Sequence, residues 1–253
     1  MYPVVSVSPF EQTREAVLEL KKEKRLFQGR SKKVYATGDP EHIILVFMDE
    51  SAPFESGQPL RIRNRKKWAC EISALLMKYV ASYHIPTHFV QSGEPGEMVA
   101  ERLNMIPAEF VIWNTASGSL SRRFGIKEGT DLSYPILECY LKDEALKYPM
   151  VSMDHLHAFD IAAPNETAAI DRMIRKINAV LKSYFERRRL KLVSTRLEFG
   201  RKEDRVVLGD EITPETCLFW DGEQADSPSK ARFRLTGEDR DAVYARLCGQ
   251  ILS

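Results

Sequence analysis

Apolar residues recur along the chain at two spacings, and the points where one spacing gives way to the other mark out its elements. Ala16, Val17 and Leu20 predict a short helix over Thr13 to Lys22. The runs Lys32 to Thr37 and His42 to Met48 then alternate as strands do, joined by the turn GDPE. Trp68, Ile72, Leu75, Leu76, Tyr79 and Val80 recur at three and four, an amphipathic helix that has to end before Pro86. Met98 to Leu103 and Glu109 to Asn114 read as two strands flanking a turn at NMIPA, so the first part of the chain is expected to be mostly β. Asn165 is expected to cap a long helix whose buried stripe is Ala169, Ile170, Met173, Ile174, Ile177, Val180, Leu181 and Tyr184. Leu190 to Phe199 and Arg205 to Asp210, joined by GRKE, predict a hairpin. A last helix over Arg240 to Leu252 carries Val243, Leu247 and Ile251 on one face.

Composition sets the scale. At 253 residues the chain suits one large mixed unit or two lobes sharing a cleft, and 43% apolar with 29% charged residues excludes disorder. Lys and Arg number 37 against 36 Asp and Glu, a net charge of +1, so nothing in the whole-chain charge favours nucleic acid or an anionic membrane as partner. Cys70, Cys139, Cys217 and Cys248 form no CxxC and are expected as reduced thiols. The amino terminus has no basic segment leading into an apolar run, and no stretch approaches the ~20 apolar residues of a membrane span. A cytoplasmic location is expected.

The hairpin carries the most telling side chains. Glu198 closes its first strand and Asp210 its second; if like parities pair, both carboxylates leave one face within diagonal reach. Such a pair suits Mg²⁺, commonly held by one or two carboxylates together with nucleotide phosphates, although on spacing alone two solvated acids at strand ends are the more ordinary reading. QGRSKKVYAT lacks the GxxxxGK[ST] of a phosphate-binding loop. There Gly29 would let the backbone bend and Lys32 would aim a point charge at a triphosphate, or the cations simply blunt a strand edge. In Asn114 to Gly125, serines around Gly118 with Arg122 and Arg123 close by fit either an anion site or a polar loop. The five histidines, His155 and His157 among them, have no metal-ligand spacing, and no Ser/His/Asp constellation stands out.

Six ordered blocks add a resemblance. GRSKKVY, IPTHF, NMIPAEFVIWNTASGS, PILECYLKDEALKYPM, STRLEFG and LGDEITPETCLFWD are similar, in order, to blocks of the SAICAR synthetase family, from about Leu26 to the carboxyl end. The resemblance implies an α+β, two-lobed, kinase-like or ATP-grasp-like fold: an antiparallel, nucleotide-binding lobe over residues 1–107 and a mixed lobe over 108–253. It implies an ATP-dependent carboxylate–amine ligase working through an acyl phosphate, with ATP as co-substrate, Mg²⁺ as cofactor, small-molecule acid and amine as partners, and a homodimer as one assembly. By position, Lys32, Glu198 and Asp210 would be catalytic, the two acids holding the metal. Gly29, Arg30, Lys32, Glu101, Met105 and Lys142 would surround the nucleotide, with Glu101 to Pro107 on the adenine side. Trp113, Ser119, Ser194, Arg196, Glu215, Leu218 and Arg234 would surround the acid substrate.

Some positions depart from the family pattern. Trp113 and Leu218 stand where the family has arginines toward a ribose phosphate, Ser194 replaces an aspartate and Arg196 a lysine, while FESGQ alters the segment after Asp49 and Glu50. The leading expectation is therefore an amide-forming ligase with a changed, unphosphorylated acid substrate. The alternative is the family's own purine reaction, joining the ribonucleotide carboxylate CAIR to L-aspartate, with Arg122, Arg123 or another cation supplying the missing charge. A catalytically silent nucleotide-binding protein or a small-molecule kinase is the alternative of another class.

Overall fold

The structure, a computed structural model, describes residues 18–51, 60–224, 231–233 and 239–253. The chain first builds a five-stranded antiparallel sheet from β1 (Arg25–Gln28), β2 (Lys32–Ala36), β3 (His42–Phe47), β6 (Phe89–Ser92) and β7 (Glu97–Glu101), in the order β1-β2-β3-β7-β6. Between β3 and β6 lie the short pair β4 (Glu50–Ser51) and β5 (Leu60–Arg61) and helix α1 (Arg65–Ala81). No Gly or Pro interrupts α1, and Asn64, in left-handed conformation at φ 59°, turns the chain into it. Its face of Ala69, Cys70, Ile72, Leu76, Met77 and Val80 is buried.

A second antiparallel sheet follows, in the order β10-β9-β8-β11-β12, from β8 (Asn104–Thr115), β9 (Asp131–Leu141), β10 (Met150–Val151), β11 (Leu190–Lys202) and β12 (Arg205–Gly209). Strand β13 (Cys217–Asp221) pairs with β11 as well. β12 pairs residues 198–202 of β11 and β13 pairs residues 190–195, so the two lie in tandem, with Asp210–Thr216 looping out between them. That loop is where the candidate site forms.

Helix α4 (Pro164–Glu186) packs on β11, β8 and β12, burying Ile170, Ile174, Ile177, Leu181, Tyr184 and Phe185. At ~1.5–3 kcal/mol per fully buried large side chain, this stripe fixes the helix; a charge at Ile174 would break it. Helix α5 (Arg240–Leu252) packs on α1, and Tyr184 Oη donates to Ile251 O at 2.8 Å. The sheets are joined where 86–88 runs beside β12: Leu208 N–H donates to Pro86 O and His88 N–H to Leu208 O, both at 2.9 Å.

Several expectations need correction. Residues 18–22 are not helical, and the rest of that predicted helix lies outside the described residues, as does FESGQ. NMIPA is not a turn but the start of β8; the chain crosses between sheets at Arg102 and Leu103, and our proposed lobe boundary after 107 falls inside β8. The hairpin turns at Glu203–Asp204 rather than over GRKE, because Lys202 still pairs with Arg205. Pro164 occupies the first turn of α4, and Glu166 rather than Asn165 caps it, accepting the Ala163 N–H at 2.7 Å. Part of the serine-rich loop is helix α2 (Gly118–Phe124), and α3 (Met153–Ala158) was not foreseen.

Candidate active site

Asp210 ends β12 in a left-handed backbone, φ 59°, and this one residue organises the site. Glu198 pairs directly with Gly209, so on a continuing strand Asp210 would face away from Glu198. The parity expected from sequence is therefore wrong, and the left-handed kink at Asp210 is what ends the alternation. His88 supports the kink: its Nε2–H donates to the Asp210 carbonyl at 2.9 Å, and burial keeps the ring neutral, with its pKa lowered to about 4.

Lys32, at the start of β2, reaches across from the first sheet. Its Nζ lies 2.7 Å from Asp210 Oδ1 and 3.1 Å from Glu211 Oε1. Burial alone would lower its pKa, but Asp210 and Glu211 outweigh burial and raise it, so Lys32 is a fixed cation. Asp210 answers in kind: burial works against its ionisation, yet Lys32 lowers its pKa. Gly29 makes the turn before β2, its N–H donating to Lys32 O at 2.9 Å, and Arg30 stacks over the Tyr148 ring at 5.2 Å.

Glu198 stands beside this group in the opposite state. Burial first, then the neighbouring Asp210 charge, push its carboxyl up to about 7, although Lys142 Nζ lies 2.5 Å from its Oε2 and pulls the other way. On β8 the residue directly opposite is another acid, Glu109, which burial also raises and which Arg196 Nε meets at 3.1 Å. Like charges facing across strands cost stability, and here each acid is met by its own cation, Glu109 by Arg196 and Glu198 by Lys142. With Glu198 ionised, Lys32 and Lys142 against Glu198, Asp210 and Glu211 would leave one excess negative charge.

The remaining predicted nucleotide residues lie along the crossing between sheets. Glu101 ends β7 and its N–H donates to His88 O at 2.7 Å. Met105, 38% exposed, rides over the hairpin because Gly200 and Gly209 leave it room: a Cβ built on Gly200 would sit 2.7 Å from Leu103 Cβ and 3.0 Å from Met105 Sδ.

The predicted acid-substrate residues divide. Trp113, Ser194 and Leu218 lie side by side across β8, β11 and β13. Trp113 is 1% exposed in a cluster with Leu120, Val193 and Trp220, its indole N–H donating to Glu138 at 2.9 Å. Glu138 is also bound by Arg123 and by Tyr140 Oη. Trp113 therefore offers no face to a substrate, and Arg123 is committed to Glu138. Ser194 is fully buried with its hydroxyl unpartnered. Glu215 is a buried partner of Arg65, 2.8 Å from its Nε, not a surface group. Ser119 is half-buried in the first turn of α2, and Arg234 lies outside the described residues. His155 and His157 are structural, bonded to Ser152 and Thr167.

Glu211 and His88 were missed from sequence. The signal for Glu211 was an acidic pair directly after an apolar strand; His88 gave none.

The SAICAR synthetase family model matches residues 25–250. A phosphoribosylaminoimidazole-succinocarboxamide synthase of Chlorobaculum tepidum is 38% identical over 227 residues, covering 90% of this chain and 97% of its own. That of Persephonella marina is 32% identical over 232 residues, covering 92% and 98%. Among solved structures, the phosphoribosylaminoimidazole-succinocarboxamide synthase of Ehrlichia chaffeensis matches with a TM-score of 0.83 and 31% identity over 90% of this chain and 98% of that one. A SAICAR synthetase in complex with ADP matches with a TM-score of 0.81 and 29% identity over 89% and 96%. The chain belongs to the SAICAR synthetase family and is an ATP-dependent ligase that forms a carbon–nitrogen bond.

Proposed function

We propose that the protein is a phosphoribosylaminoimidazole-succinocarboxamide synthase, joining the ribonucleotide carboxylate CAIR to L-aspartate at the expense of ATP. The observation that carries this reading is the end-to-end likeness to synthases of that name, 97% of the Chlorobaculum tepidum protein being covered, around an intact cluster of Lys32, Glu198 and Asp210. The changed acid substrate expected from Trp113 and Leu218 loses its support. Trp113 is occupied by Glu138, and Leu218 packs on the same apolar cluster.

The residues present fit Mg²⁺. Glu198 and Asp210 are hard oxygen donors at neighbouring, part-buried positions, and the Glu198 pKa is raised by burial and by the adjacent Asp210 charge despite Lys142, so a divalent cation between the two acids would relieve their repulsion. Among the described residues no third His, Cys, Asp or Glu joins them as a cage; two carboxylates suffice for a metal that keeps waters and phosphate oxygens. Bound there, the metal would neutralise charge on the transferred phosphate.

In the reaction, a carboxylate oxygen of the acid attacks the γ-phosphorus and the bond to ADP breaks. The aspartate nitrogen then attacks the acyl carbon, phosphate leaves, and the nitrogen loses its proton. Lys32 sits beside the β- and γ-phosphates, where a fixed cation gains value as charge moves onto ADP. Lys142 compensates Glu198. The crossing at Glu101 to Met105 lines the base, and Gly29 and Arg30 the phosphates. Ser119 and Arg196 are the described residues assigned to the acid, with exposed Arg122 assigned to its phosphate. A cytoplasmic location and a dimer remain part of this proposal.

Oxygen label tests the chemistry: label in the carboxylate of the acid should appear in released phosphate, with ADP as co-product. Release of pyrophosphate instead would overturn it.

A further inference from the structure

Glu211 is a buried charge in direct contact with Lys32 that the reaction, as described, does not use. Its side chain is 3% exposed. Oε1 accepts from the Ser31 hydroxyl at 2.5 Å and from Lys32 Nζ at 3.1 Å, while Oε2 is buried with no hydrogen-bond partner. A buried carboxylate with half its accepting capacity unfilled is costly, and a neutral acceptor would satisfy Ser31 at lower cost. The charge therefore answers to Lys32.

Both ends of Glu211 are held. Ser31, which aims its tip, is tied through its carbonyl to the Met48 N–H at 2.9 Å and to Arg65 Nη1 at 3.3 Å. Arg65 in turn binds Glu215, one helical turn's length further along the loop that carries Glu211. The chain Glu211, Ser31, Arg65, Glu215 thus closes on itself around the start of β2 and fixes where the first residue of that strand can send its side chain. Lys32 otherwise has a flexible four-carbon stem, and its nearer partner, Asp210, is the carboxylate that the proposed function commits elsewhere.

We infer that Glu211 is a positioning residue for phosphoryl transfer, holding the Lys32 ammonium at its post while Asp210 is engaged and the ammonium's open side meets the triphosphate. The inference rests on the reading of Lys32 as a phosphate ligand.

A double-mutant cycle in the full chain separates the two. Lys32→Ala, Glu211→Gln and the double variant are compared for kcat, KM for ATP, ADP affinity by calorimetry and melting. Glutamine keeps an acceptor for Ser31 and removes only the charge. Glu211→Gln should lower kcat about 10- to 100-fold, with ADP affinity within about threefold and a melting point no lower than that of the wild type. On the Lys32→Ala background the same substitution should change kcat by less than about twofold, its route of action being gone. Equal losses in both backgrounds would make Glu211 a merely structural acid, and wild-type kcat in Glu211→Gln would also overturn the inference. Wild-type kcat in Lys32→Ala would remove the reading of Lys32 and the inference with it. Should Glu211→Gln not fold, Ser31→Ala, which frees the tip of Glu211, should show the same background dependence with a smaller loss; equal losses there refute it.

Discussion

Replacing Glu198 by glutamine should stabilise the empty protein and inactivate the enzyme, and both effects have one cause. Burial and the Asp210 charge hold the Glu198 carboxyl at about 7 in place of its ordinary 4.5. The residue is 9% exposed, so solvent does little to soften this. Between about pH 4.5 and about pH 7 the folded chain thus keeps a proton that the unfolded chain has released, and stability falls as pH rises through that window. Above it, holding the carboxylate ionised costs about 3 kcal/mol, at ~1.4 kcal/mol for each pH unit. Glutamine keeps the shape and an acceptor for Lys142 without an ionisable group. Melting of the nucleotide- and metal-free proteins should coincide near pH 4 and diverge upward. By about pH 8 the variant should melt roughly 6–12 °C higher, given ~2–4 °C per kcal/mol at this size. Turnover should be lost. A variant that melts no higher than wild type near pH 8 would refute the argument that this site stores unfavourable charge.

Other outcomes follow from the same geometry. Lys32→Ala should lower kcat more than it raises KM for ATP, in steady-state kinetics, because the cation's value grows with the charge on the leaving ADP. Gly200→Ala should cost about 1–3 kcal/mol of stability in denaturant unfolding, since the new methyl meets Leu103 Cβ at 2.7 Å and the Asn104 carbonyl at 3.1 Å. Trp113→Phe should cost about 1–3 kcal/mol by leaving Glu138 short of a donor, and should leave the choice of acid unchanged; a switch in acid preference would put Trp113 in contact with substrate.

The parts of this fold that sequence discloses are those with one buried face. The long helices α1, α4 and α5 and the β11–β12 hairpin show themselves because a single stripe or alternate face is apolar. β9 does not, since its first half is mostly exposed and gives no alternation. β8 is hidden for another reason. Asn104 and Pro107 carry turn chemistry, yet Pro107 sits where the pairing with β11 is irregular, and its carbonyl accepts the Lys142 N–H at 2.9 Å. The site shows the same divide. Glu198 and Asp210, singled out from the hairpin, do come into one cluster, but not by the expected parity, which Asp210's left-handed backbone makes irrelevant. Trp113 was misread as a substrate contact because sequence shows the loss of a charge and not the burial of what replaces it.

Product identity tests the central claim most directly. The protein, incubated with MgATP, CAIR and L-aspartate, should release ADP and phosphate and yield the succinocarboxamide ribonucleotide by mass spectrometry, with kcat/KM near the ~10⁴–10⁸ M⁻¹s⁻¹ of ordinary enzymes. Absence of that product, while an unphosphorylated acid drives amine-dependent ADP release, would contradict the account.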